Sequence, residues 1–123
     1  MDKTFIAIGS FAAFIGVGLG AFGAHGLRDR LSEQMLAVWH TGVQYHMIHA
    51  LGLIFVGVLI HLFSGVGSLK WVGWLFFLGI ILFSGSLYLL AFFEMRKLGM
   101  ITPLGGLAFL AGWLVLAIGM IRQ

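Results

Sequence analysis

No cysteine occurs anywhere in this sequence, which removes disulfides, thiolate metal ligands and cysteine nucleophiles from consideration. Charge is nearly as scarce. Asp, Glu, Lys and Arg together make up 9% of the 123 residues, against roughly a quarter in ordinary soluble domains. Beyond the first polar stretch the only acidic residue is Glu94. A proton relay across a membrane would need a second intramembrane carboxylate, so a proton-coupled transporter is disfavoured. Also missing are a nucleophile-elbow serine, a glycine-rich phosphate loop and a His-Glu-x-x-His or Glu-x-x-His ligand set. These absences lean away from an enzyme.

What is present is apolar: 61% of the residues are hydrophobic. A soluble globule of this size cannot hide that much apolar surface, because a small fold leaves most of its surface in water. The length fits one domain, 1–123, with no linker inside it. Four apolar stretches, residues 4–24, 41–63, 70–93 and 103–121, each match the roughly 20 residues that cross a ~30 Å hydrocarbon core. Such segments must be helical, since unpaired backbone groups cannot face lipid. The expected fold is an all-α membrane protein, a bundle of four transmembrane helices. The first stretch is too long for a signal-peptide core and is followed by three more, so it reads as a membrane helix.

The connections differ in kind. Residues 64–68, Ser-Gly-Val-Gly-Ser, form a tight turn that makes helices two and three an antiparallel hairpin. Thr102 and Pro103 read as N-cap and first residue of the last helix. Glu94 beside Arg96 and Lys97 reads as a helix-end salt bridge. Between helices one and two, residues 25–40 carry Leu27, Leu31, Met35 and Val38 or Trp39 on one stripe and polar side chains opposite. That pattern predicts a short amphipathic helix lying in the membrane interface. The formal charge of +3 is scattered at segment ends, which suits lipid headgroups and topology rather than a nucleic-acid footprint. Arg28, Arg30, Arg96 and Lys97 on one side against Lys3, Lys70 and Arg122 on the other place the polar loops in the cytoplasm and both termini outside.

Glycine is abundant, at 19 residues. Ala12, Gly16, Gly20 and Ala24 recur every four residues in the first helix; Gly105, Gly106, Ala108 and Gly112 group on the last. Small faces of this kind let helices approach closely, within a bundle or between copies in a homo-oligomer.

The second helix is unusual, because its first half holds Thr41, Gln44, Tyr45, His46 and His49. Polar groups at membrane depth are costly unless they face the bundle interior or a wet cavity. The expected cluster joins these residues to His25, Ser84, Ser86 and Tyr88 near one membrane face. Three uses of it stand open: hydrogen-bonded packing between helices, a pocket for a small molecule or lipid headgroup, or a haem or metal site using two of His25, His40, His46 and His49. No metal ligand set and no cofactor is expected, and His61 reads as interfacial.

Four blocks carry a family resemblance. They are Gly20-Ala21-Phe22-Gly23-Ala24-His25-Gly26-Leu27, residues 39–51 from Trp39 to Leu51, Phe83-Ser84-Gly85-Ser86-Leu87-Tyr88, and the segment from Ile101 through Gly105-Gly106 to Gly112-Trp113. In this order they resemble the YwdK/YgdD family of small bacterial inner-membrane proteins of unknown function, to which the animal transmembrane protein 256 group is similar. The resemblance spans nearly the whole chain. It implies four membrane helices and a multi-pass protein of the bacterial plasma membrane, and brings no activity, cofactor or catalytic residue. The leading expectation is a structural or regulatory membrane protein, or one that binds a lipid or small molecule. An oligomeric channel or carrier is the alternative, and a haem- or metal-dependent redox protein the third.

Overall fold

The computed structural model describes all 123 residues, 85% of them helical. Helix α1 runs over Asp2–His25, α2 over Glu33–Leu62, α3 over Leu69–Phe93 and α4 over Thr102–Ile121, with a short 3₁₀ turn at Arg96–Met100 before α4. Each of the four is long and apolar enough to cross a membrane. The order in space follows the chain: α1 packs along α2, and α3 lies against both α2 and α4. The core between them is Phe5, Leu53, Val56, Val72, Phe76, Ile80 and Phe109.

Small residues set the distance between α1 and α2. Gly9, Gly16 and Gly23 are buried at seven-residue intervals. A Cβ on Gly9 would lie 2.7 Å from the Ala50 carbonyl oxygen, and one on Gly16 would strike Met47. Ala12 and Gly20 of the expected small face also turn toward α2. Ala24 is exposed and leaves the stripe, because the contact face shifts to Gly23 where the Trp39 ring arrives. On α4, Gly105, Ala108 and Gly112 are buried while Gly106 is half-buried. A Cβ on Gly105 would collide with the backbone of Phe83, so α4 lies close against α3 there.

Residues 25–40 differ from the expected interfacial helix. The Ser32 hydroxyl accepts from the Met35 N–H at 3.1 Å, so α2 begins at Glu33 and runs unbroken for 30 residues. The apolar stripe is real, but Met35 and Trp39 continue into Val43 on one helix, and only residues 26–32 form the turn. Leu27, Trp39 and Ala91 build a second small core that closes this end of the bundle. Trp39 Nε1 donates to the Leu19 carbonyl at 2.9 Å, fixing the overhanging start of α2 against α1.

Two other local expectations change. Thr102 lies inside α4 rather than capping it, and its hydroxyl meets Ser86 Oγ at 2.5 Å. Glu94 forms no ion pair. It takes the left-handed conformation that ends α3, at φ 54°. The exposed His61 instead bonds through Nδ1 to the Asp2 carboxylate at 3.2 Å, tying the start of α1 to the end of α2.

Midway along α3, Ile80–Ser84 forms a π turn, closed by the Gly85 N–H donating to the Ile80 carbonyl. The extra residue advances the helix face by about 100°. Fully buried Ser84 then donates to the Gly42 carbonyl at 2.7 Å on α2, while Phe83 packs on Gly105 of α4.

Candidate functional site

The polar half of α2 does not gather into one cluster. Thr41 to His61 covers about 30 Å at 1.5 Å per residue, the thickness of a hydrocarbon core. Near its polar-loop end the helix sends His46 to one side and His49 to the other.

His46 sits between α1 and α3, 4% exposed. Its Nε2 lies 2.7 Å from the Ala12 carbonyl and its Nδ1 2.8 Å from the Tyr88 hydroxyl. A carbonyl only accepts, so Nε2 carries the hydrogen and Tyr88 donates to the Nδ1 lone pair. His49 faces α4, 3% exposed. Its Nδ1 lies 2.8 Å from the Tyr45 carbonyl, and Trp113 Nε1 donates to its Nε2 at 3.0 Å. Indole nitrogen only donates, so His49 holds its hydrogen on Nδ1, the opposite tautomer. Its ring stacks on Phe109 with centroids 3.6 Å apart and planes 8° from parallel.

All four ring nitrogens are thus engaged, and neither histidine presents an open lone pair to a metal. No group of three or more His, Asp or Glu side chains is placed to hold one. His25 and His40 are exposed and apart from this pair. Thr41 bonds back to the Ala37 carbonyl at 2.9 Å, and Gln44 is exposed. Ser84 reaches α2, whereas Ser86 reaches Thr102 on α4. Every buried side-chain polar atom has a partner.

Trp113, the partner of His49, is absent from the expected site, as are Phe83 and Phe109. A readable signal for Trp113 existed: its N–H lies in a long apolar run and must find an acceptor.

Beside His49 a groove of about 510 Å³ opens outward between α2, the π turn of α3 and α4. Its walls are mostly apolar: Phe83, Gly106, Leu107, Leu110 and Trp113, with Pro103 at one end and Tyr45 over it. Tyr45 is 40% exposed, and within the protein its hydroxyl bonds to nothing. A second cavity, about 340 Å³ at the short-loop end, has Arg122 as its one charged group.

Residues 19–106 match the family described as Protein of unknown function (DUF423), a span holding all of α2 and α3. The chain is 52% identical over 120 residues to the UPF0382 membrane protein YwdK of Bacillus subtilis, covering 98% of each chain. It is 52% identical over 118 residues to a UPF0382 membrane protein of Staphylococcus haemolyticus, covering 94% of this chain and 93% of the other.

The chain belongs to the DUF423 family.

A Staphylococcus epidermidis UPF0382 membrane protein is 49% identical to this DUF423 chain over 122 residues, 98% of this chain and 97% of that one. No solved structure matches it. With relatives named as membrane proteins and four helices of membrane length, the DUF423 chain is an integral membrane protein embedded in the lipid bilayer. The groove beside His49 therefore lies on the outer face of a membrane-embedded bundle.

Proposed function

We propose that this DUF423 chain is a non-catalytic, multi-pass protein of the bacterial plasma membrane that holds a membrane-borne molecule in the α2–α4 groove. The observation that carries the reading is an unpaired Tyr45 hydroxyl above an apolar groove on the lipid-facing side. A phenol at this depth gains by meeting a ligand's polar atom, and the apolar walls accept its hydrocarbon part. The neighbouring histidines favour a binding role over chemistry, since each is bonded at both nitrogens.

The loop charges favour an orientation with the turns at 26–32 and 94–101 in the cytoplasm and both termini outside. Within one copy the core is filled by Phe5, Phe76 and Phe109, which disfavours a channel through the bundle. Gly9, Gly16 and Gly23 are occupied by α2, so a homo-oligomer would use other faces, such as that of Phe11, Phe14 and Gly18.

A bilayer lipid carrying a photoactivatable acyl chain tests the reading in proteoliposomes. Labelling concentrated at Leu107 and Leu110, above that at the equally lipid-exposed Phe14 and Val17 of α1, is expected. Uniform labelling over both faces would refute it.

A further inference from the structure

The groove has a depth and a direction. From Pro103 to Trp113 it follows ten residues of α4, about 15 Å, or half the ~30 Å hydrocarbon core. Ser84 bonded to Gly42 and Ser86 to Thr102 bring the start of α4 near the level of Gly42, close to the membrane boundary. The groove thus spans one leaflet, with Pro103 at the interface and Trp113 near the midplane. That is the run of a single acyl chain.

No Lys or Arg lines the groove, but the turn that leads into its Pro103 end is basic. Arg96 and Lys97 lie in the 3₁₀ turn that leads into Thr102 and Pro103; both are exposed and neither is in an ion pair. The turn folds back on α3, because a Cβ added to Gly99 would lie 3.5 Å from Leu90, in ordinary van der Waals contact near the end of that helix. Its cations are held at headgroup depth, where a phosphate would pair with them. Glu94, also exposed and unpaired, precedes them and opposes part of this charge.

We infer that the groove takes an anionic glycerophospholipid, its acyl chain along α4, an ester carbonyl at the Tyr45 hydroxyl and its phosphate at Arg96 and Lys97. The inference rests on the groove reading above and adds the class of ligand. A zwitterionic lipid offers the same chain and ester, but its own cation competes for the phosphate and is repelled by the turn.

The test uses the full chain purified in detergent and native mass spectrometry with phosphatidylglycerol and phosphatidylcholine of identical chains. Wild type should retain phosphatidylglycerol about tenfold more, and Arg96→Gln with Lys97→Gln should abolish that preference. Gly106→Leu should lower retention of both lipids: a Cβ there has 3.8 Å to Phe83, so the added atoms fill the groove. Tyr45→Phe should weaken phosphatidylglycerol binding severalfold with no change in thermal stability, and it serves should the glycine variant fail to fold. Equal retention of the two lipids, with Gly106→Leu still lowering both, would overturn the ligand class and leave the groove standing. Retention unchanged by both Gly106→Leu and Tyr45→Phe would overturn the groove itself.

Discussion

His46 and His49, three residues apart on α2, are held in opposite tautomers. His46 donates from Nε2 to Ala12 and His49 from Nδ1 to Tyr45, so each ring is left with one lone pair. Those lone pairs are filled from different helices, by Tyr88 on α3 and Trp113 on α4. The polar half of α2 therefore works as a two-sided clamp that joins α1, α3 and α4 through one helix.

Nitrogen-15 spectra of the histidine-labelled protein in micelles should resolve this directly. Two neutral rings are expected, one protonated on Nε2 and one on Nδ1, with Tyr88→Phe perturbing only the first and Trp113→Phe only the second. A shared tautomer, or a ring exchanging freely between the two, contradicts the clamp.

The clamp also predicts a coupling energy. Trp113→Phe keeps the aromatic surface on Phe76 but leaves His49 Nε2 without a donor. A loss of about 1 kcal/mol is expected, in line with interhelical hydrogen bonds in membranes. His49→Phe with Trp113→Phe together should cost less than the sum of the two single changes. Strict additivity in a detergent unfolding titration would show that the bond contributes nothing.

Much of the fold was legible because membrane spans are written in length and hydropathy, which need no tertiary information. The start of α2 was not. A stripe of Leu31, Met35 and Trp39 fits an interfacial helix and a helix extension equally, and only the Ser32 cap and the Trp39 bond to Leu19 decide between them. Polar residues on α2 could be singled out from sequence, but not their partners. Tyr88 lies 42 residues from His46 and Trp113 64 from His49, separations over which helical periodicity says nothing. Trp113 carried a signal, its N–H in an apolar run, but in a membrane helix a tryptophan reads first as an interfacial anchor. Ala24 was placed on the packing face by a four-residue period, whereas the contacts follow Gly9, Gly16 and Gly23 at seven.

That seven-residue spacing gives a paired experiment on α1. Gly16→Leu would drive side-chain atoms into Met47 and His46, whereas Gly18 has nothing within 4 Å of a Cβ and faces outward. The first change should cost about 3 kcal/mol by overpacking, and the second should leave unfolding within about 0.5 kcal/mol of wild type. Equal effects would mean that α1 is not docked through this face.

The π turn of α3 has two candidate causes, and they can be separated. One is the Ser84 hydroxyl, fully buried and bonded to the Gly42 carbonyl at 2.7 Å. The other is Gly105, which admits the Phe83 backbone where any Cβ would collide. Ser84→Ala removes a bond worth about 1 kcal/mol but strands no group, because the Gly42 carbonyl sits within the continuous α2 ladder. Gly105→Ala forces α3 and α4 apart and should be the more damaging of the two. Amide exchange at Gly85, whose N–H closes the π turn onto Ile80, reports on the turn itself. If the hydroxyl sets the turn, Gly85 exchanges faster in Ser84→Ala; if packing sets it, Gly85 stays protected there and opens only in Gly105→Ala. The tight backbone contact favours the second outcome, since a displaced backbone costs more than a lost hydroxyl bond.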